Sequence, residues 1–156
     1  MVEFRFAEEK DASLIVNFIK ELADYEGMLD EVVANEDLIK EWIFEKQKAE
    51  VIFALEDGKE VGTALFFYNF STFMGRSGIY IEDLYVKPEY RGKGYGIALI
   101  KELAKITVER GCGRLEWGCF DFNTSSIEFY LSLGAKPVDE WTVYRVSGDT
   151  LKELSE

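Results

Sequence analysis

Apolar positions along this chain follow two periods, and the places where one gives way to the other mark its elements. Phe4 and Phe6 alternate with charged neighbours, the spacing of a half-buried strand. Leu14, Ile15, Phe18, Ile19 and Leu22 then share one face of a helix, because residues three and four apart lie over one another. A second helix is predicted to start after Asn35, whose side chain can accept from first-turn amides. Glu36 and Asp37 suit the positive end of its dipole, and Leu38, Trp42 and Ile43 are its expected buried residues. Strands are predicted over 50–56 and 60–70, joined through Asp57-Gly58, a pair that accepts the left-handed backbone of a tight hairpin turn.

Farther on, a strand over 78–86 leads through 87–94 into a helix over 95–110. That helix is apolar at Ile97, Leu99, Ile100, Leu103, Ala104 and Ile106 and is stopped by Gly111. A strand over 114–120, a helix over 125–133 ended by Gly134 and a strand over 141–147 complete the pattern. The prolines, Pro88 and Pro137, both fall in connections, and no repeat, linker or break in composition divides the chain. Its 156 residues therefore read as one domain, 1–156, of the α+β class, with a mixed sheet flanked by helices.

A hydrophobic content of 47% with 15% aromatics excludes a disordered chain. The longest apolar runs, near 52–55 and 64–67, fall far short of the ~20 residues of a membrane span. No charged-then-apolar signal opens the chain, so a soluble cytoplasmic protein without a membrane partner is expected. Cys112 and Cys119, in a chain with no histidine, form neither a disulfide framework nor a metal-ligand pattern; they are expected to be buried thiols, and no metal is expected.

Eighteen basic residues against 30 acidic ones give a net charge of −12, which excludes a nucleic-acid partner held by a basic surface. The charge is uneven. Residues 87–114 hold seven bases and three acids, a local +4 that leaves −16 on the rest. Such a split suits an anionic cofactor bound in one place and a cationic substrate in another.

The positive segment contains Arg91-Gly92-Lys93-Gly94-Tyr95-Gly96, between a strand and a helix. Glycines here let backbone amides approach a ligand closely, and the helix N-terminus adds partial positive charge, which suits a pyrophosphate. Arg91 and Lys93 would add full charges beside it. A P-loop is excluded because Gly94 is followed by Tyr95, and the glycine spacing is not that of a dinucleotide fingerprint.

Arg91-x-x-Gly94-x-Gly96, after a strand ending Asp83-Leu84-Tyr85-Val86, resembles the acetyl-CoA signature of the GNAT superfamily of N-acetyltransferases. Over almost the whole chain the resemblance extends to the diamine (spermidine/spermine) and thialysine acetyltransferases. It is carried by Lys20-Glu-Leu-Ala-Asp-Tyr-Glu26, Tyr80-Ile-Glu-Asp83, Tyr90-Arg-Gly92, Asn123, Ser126-Ile-Glu-Phe-Tyr130, Gly134-Ala135 and Trp141. It implies the GNAT fold, a mostly antiparallel central sheet with splayed central strands. It also implies acetyl-CoA as cosubstrate, a small cationic amine as acceptor and a homodimer. A protein or peptide amine as acceptor, and a non-catalytic acyl-CoA-binding module, remain as alternatives.

Acyl transfer needs a neutral amine, and an alkylamine of pKa near 10.4 is only about one part in a few thousand neutral at pH 7. A proton acceptor must therefore sit at the site, and with no histidine the candidates are carboxylates and tyrosines. Glu82 resembles the family's general base, with burial or Asp83 needed to raise its pKa, and Tyr130 resembles the general acid for the leaving thiolate. The resemblance further implies that Leu84, Tyr85 and Val86 line the pantetheine arm. Arg91, Gly92, Lys93, Gly94, Tyr95, Gly96 and Ile97 would hold the pyrophosphate, and Asn123 and Ser126 would touch the cofactor. Tyr25, Glu26, Glu82, Asp83, Glu140 and Trp141 are the implied amine-recognition residues, aromatic faces and carboxylates being what an ammonium prefers. Two departures stand out. Ser71-Thr72-Phe73 replaces an acidic loop of the diamine enzymes, and Leu131 replaces a basic residue after the tyrosine.

Overall fold

A computed structural model describes residues 2–156. Five strands lie in chain order in one sheet: β1 (Glu3–Phe6), β2 (Glu50–Glu56), β3 (Lys59–Ser71), β4 (Arg76–Val86) and β5 (Leu115–Trp117). The first three pairings are antiparallel and the last, β4 with β5, is parallel. The β2–β3 turn is the one the sequence predicts. Asp57 and Gly58 both take positive φ, 50° and 79°, so the turn follows the twist of its strands. The helices are α1 (Ala12–Tyr25), α2 (Glu36–Ile39), α3 (Tyr95–Glu109), α4 (Thr124–Ser132) and α5 (Gly148–Leu154). Among the described residues no helix is long and apolar enough to cross a membrane.

The chain divides into two units, one running to Gly118 and the other from Cys119 to Glu156. In the first, both faces of the sheet are covered. Under α3, Leu99, Leu103 and Ile106 pack on Ile52, Ala54, Val61, Ala64, Phe66, Ile79 and Ile81. On the other face, Ile15, Val16 and Phe18 of α1 pack with Ile39 and Ile43 on Val51, Phe53, Leu55 and Tyr85. The Phe18 ring lies 5.9 Å from Phe53 and 6.3 Å from Tyr85. Because β2 is buried on both sides, its apolar run is nearly continuous rather than alternating.

A register shift interrupts β4. Leu65 pairs with Asp83 and Phe66 with Ile81, so Glu82 is an extra residue, a β-bulge. Its effect is visible in the packing. Ile79 and Ile81 before it and Leu84 and Val86 after it all belong to the cluster beneath α3. The inserted residue thus leaves Glu82 and Asp83 side by side on the opposite face.

Several expectations are corrected. Asn35 does cap the second helix, its Oδ1 accepting from Leu38 N at 2.9 Å, but only four residues are α-helical before a π-type turn over Lys40–Glu45. Ile39 and Ile43 are its buried residues, while Leu38 and Trp42 are exposed, the Trp42 ring lying 4.0 Å from Lys46 Nζ. Ile43 is buried as expected, and Ile39 rather than Leu38 or Trp42 joins it in the core. The expected strand over 114–120 is only three residues long. No strand forms over 141–147, because apolar alternation supplies no partner strand, and α5 follows, which the sequence pattern did not predict. Cys119 is exposed rather than buried, and Cys112 is half-buried against the α3 cluster.

An ion network ties β1 to the α1 entrance. Arg5 donates to both oxygens of Asp11, at 2.8 and 2.9 Å, and to Glu60 at 2.7 Å, while Glu8 N donates to Asp11 Oδ2 at 2.8 Å. Asp11 is buried, and the Arg5 guanidinium holds its carboxyl below the usual range. Its contribution is therefore present above an unfolded value near 3.9 and is lost as pH falls through the lower folded value. Asp11→Asn is expected to lower stability by roughly 2 kcal/mol at pH 7, allowing for the partly exposed Arg5. Urea unfolding at several pH values checks it, the difference from wild type shrinking below about pH 4.

Candidate active site

The parallel pairing of β4 with β5 stops at Ile81 and Trp117, yet β4 continues to Val86. From Glu82 onward, the β4 edge that faced β5 therefore has no β5 partner, and an extended amide-bearing arm could pair there. The bulge and the divergence begin at the same residue. Leu84, Tyr85 and Val86 form this edge, with the Tyr85 side chain turned into the α1 cluster.

Beyond Val86 the chain turns through Pro88–Tyr90 and crosses the glycine loop, with Lys87 N donating to Val61 O at 2.9 Å. Gly92 and Gly94 take positive φ, 80° and 87°, and Gly94 caps α3. The first bond closing α3 runs from Ala98 N to Gly94 O, 3.0 Å, so the amides of Tyr95, Gly96 and Ile97 have no intrahelical acceptor. A Cβ on Gly96 would meet nothing within 4 Å, which leaves these amides open to a ligand. A diphosphate fits this cradle of donors and helix dipole.

The loop cations have protein partners. Arg91 Nε donates to Val86 O at 2.9 Å, and its guanidinium carbon lies 4.5 Å from the Tyr25 ring centre and 5.4 Å from that of Tyr85. Lys93 Nζ lies 3.5 Å from Glu56 Oε1. Tyr95 is buried, its hydroxyl donating to the same Glu56 oxygen at 2.5 Å, so its backbone rather than its ring faces the loop side. Arg91 joins the loop to the end of α1, where Tyr25 is exposed and Glu26 follows as the cap.

Acidity gathers on the face that carries the bulge. Burial, then the charges of Glu82 and Glu26, push the Asp83 carboxyl up to about 6. Burial also raises Glu26. Asp83 lies beside Ile15, Phe18, Ile19, Leu22 and Leu65 in a small apolar recess, which is the source of its burial. Tyr80, whose ring is 5.5 Å from Phe67, is raised by burial and by the charges of Glu82 and Glu116. Glu116 belongs to a group that sequence reasoning missed. Arg114 Nε lies 3.0 Å from Glu116 Oε1, and Asn69 Nδ2 donates to that oxygen at 2.8 Å. Their signal was the alternation Arg114-x-Glu116, which gives both side chains one face.

In the second unit, Asn123 caps α4, its Oδ1 accepting from Ser126 N at 3.3 Å, and Tyr130 lies on the same helix. Burial and then the Cys119 thiol raise Tyr130. Glu140 lies in a turn at 139–140 and Trp141 opens the irregular stretch before α5; both are exposed. The first unit thus brings together Tyr25 with Arg91, and Glu26 with Glu82 and Asp83. The second holds Asn123, Ser126 and Tyr130 on one helix, apart in sequence from Glu140 and Trp141.

The model of the acetyltransferase (GNAT) family matches residues 16–135. Thialysine N-epsilon-acetyltransferase of Bos taurus is 35% identical over 99% of this chain and 97% of its own length. L-ornithine N5-acetyltransferase NATA1 of Arabidopsis thaliana is 40% identical over 64% of this chain and 44% of its own. Among solved structures, an integron cassette protein from the mobile metagenome of V. cholerae superposes with a TM-score of 0.83 at 31% identity, covering 99% of this chain and 98% of that one.

A carboxyl raised to about 6 in the folded chain is less stable ionised than in the unfolded chain, so at neutral pH Asp83 weakens the fold. The penalty is on the order of 3 kcal/mol above pH 6 and fades to nothing near pH 4. Asp83→Asn should therefore raise the melting temperature at pH 7.5, with the gain vanishing in acid. Thermal unfolding across pH reads this, and a variant no more stable at pH 7.5 would contradict it.

Proposed function

This chain belongs to the acetyltransferase (GNAT) family and is an N-acetyltransferase, and from that premise we propose that it transfers the acetyl group of acetyl-CoA to the primary amine of a small cationic substrate. The acceptor is lysine- or thialysine-like, or a diamine. The observation that carries this reading is the β4 bulge. It sets Glu82 and Asp83 beside an unpaired strand edge, with Glu26 near enough to act on Asp83. The names of the relatives, which include thialysine and ornithine as acceptors, support a small-amine substrate.

The thioester supplies an activated acyl carbon. Residues 84–86 would pair with the pantetheine arm and the amides of residues 92–97 would hold the diphosphate; Asn123 and Ser126 of the second unit are the further cofactor contacts that the family resemblance implies. Lys93 and Arg91 add positive charge to the loop. Glu26 and Asp83 hold the incoming ammonium, with Tyr25 as an aromatic group of the same unit; Glu140 and Trp141 of the second unit are the further amine-recognition residues that the family resemblance implies. Glu82 takes the ammonium proton, directly or through a water. The freed lone pair attacks the acyl carbon, the carbon–sulfur bond breaks and Tyr130 protonates the departing thiolate; the second proton lost by the nitrogen, as the neutral amide forms, returns the tyrosinate to its phenol through solvent.

Two carboxylates serve this task better than one. The ammonium itself favours the ionised form of Asp83, while burial and the Glu82 charge raise the basicity of Asp83 toward the working pH. The working unit is a cytoplasmic homodimer on this reading.

Purified protein with acetyl-CoA should release thiol with lysine, thialysine, ornithine, putrescine or spermidine, and no turnover with any of them overturns the proposal. Glu82→Gln and Tyr130→Phe are expected to lower kcat by about a hundredfold or more while the protein still binds CoA. Below pH 6 Asp83 is protonated and loses its charge, so kcat/KM should fall as pH drops through about 6, and Asp83→Asn should remove that step. Steady-state kinetics across pH reads both effects.

A further inference from the structure

We propose that Arg114, Glu116 and Asn69 form a head-group subsite for the α-amino-acid end of the acceptor, so that the enzyme selects amino acids bearing a distal amine over plain diamines. The inference rests on the small-amine reading above and specifies which small amine.

Glu116 lies on β5, at the edge of the sheet, with Arg114 just before the strand; the two flank Leu115 and point to the face opposite α3, whereas Leu115 and Trp117 pack in the cluster under α3. The group is held but not sealed. Arg114 Nη2 donates to Phe70 O at 3.3 Å, and the Arg114 and Glu116 side chains are 38% and 33% exposed. Asn69 Oδ1, shielded from solvent, takes no hydrogen bond among the described residues, and Arg114 Nε, close to Glu116, lacks an aligned one. A cluster that served only to pin β5 would be expected to satisfy its own polar atoms. Room for the group comes from Gly78. A Cβ there would lie 2.6 Å from Asn69 Oδ1 and 2.8 Å from Arg114 Cγ.

Position gives the group its use. Glu116 pairs across from Tyr80, two residues before Glu82 on β4, and Tyr80 feels the charges of both Glu116 and Glu82. Along a strand that separation is roughly 7 Å, and roughly 10 Å to Asp83. A lysine, thialysine or ornithine side chain spans such a distance, with the rings of Tyr80 and Phe67 beside it. The α-carboxylate would accept from Arg114, and the α-ammonium would donate to Glu116. A diamine could bring its second ammonium to Glu116 but would leave Arg114 without an anion to receive its donors, so it forfeits the carboxylate contact that lysine makes.

The test compares wild type, Arg114→Gln, Arg114→Lys and Glu116→Gln, each with acetyl-CoA and four acceptors: lysine, ornithine, ε-aminocaproate and cadaverine. Arg114→Gln should raise KM for the three carboxylate-bearing acceptors by about tenfold, leave kcat near wild type and leave or lower KM for cadaverine. Arg114→Lys should restore part of the loss. Glu116→Gln should weaken lysine and ornithine but spare ε-aminocaproate, which has no α-ammonium. Equal changes for all four acceptors, or a wild type that prefers cadaverine to lysine, overturn the subsite while leaving acetyl transfer intact. A wild type that acetylates none of the four overturns the small-amine reading and the subsite together. Should Arg114→Gln fail to fold, the Arg114→Lys and Glu116→Gln comparisons decide alone.

Discussion

One inserted residue in β4 governs the chemistry of the first unit. Side chains on a strand alternate between faces, so without the bulge Glu82 and Asp83 would point to opposite sides of the sheet, one of them into the cluster beneath α3. With it, both carboxyls share a face. The apolar pattern resumes after a shift of one, so Leu84 and Val86 still reach the α3 cluster. The same point ends the pairing with β5 and frees the strand edge. An acidic pair and an open edge are thus two consequences of a single irregularity.

That arrangement sets a conflict between stability and function. Burying Asp83 beside two other acids costs free energy at neutral pH, and no cation among the described residues of the first unit repays it. Arg5 plays that part for Asp11 and Glu60, and Lys87 lies 2.9 Å from Glu21, so the chain does pair its acids where they are structural. On the proposed function the carboxyls at the bulge are left for a cationic ligand, and the cost of burying Asp83 is relieved when an ammonium arrives.

Much of this could be read from residue order, and the failures have physical causes. The Asp57-Gly58 hairpin, the glycine loop and the α3 stripe were legible because each rests on local backbone preference or a long periodic run. The bulge was not read, although its trace is in the sequence as a spacing of three between Ile81 and Leu84 within an otherwise alternating strand. Which stripe of α2 faces inward was set by packing against α1 and the sheet, which local propensity does not contain. Residues 141–147 have the composition of a strand, but a strand exists only with a partner, and pairing is not a local property. Arg114, Glu116 and Asn69 looked like separate surface residues until the register of β3, β4 and β5 brought them together.

The central claim is that Asp83, in its apolar recess near the charges of Glu82 and Glu26, has no cation partner among the described residues and is paired when an ammonium binds. Carbon-13 titration of the Asp83 carboxyl by NMR, with and without lysine present, addresses it most directly. The account predicts a midpoint near 6 in the free protein that moves down when the amine binds. A midpoint at the ordinary carboxylate value near 3.9, or one that ignores the amine, would contradict it.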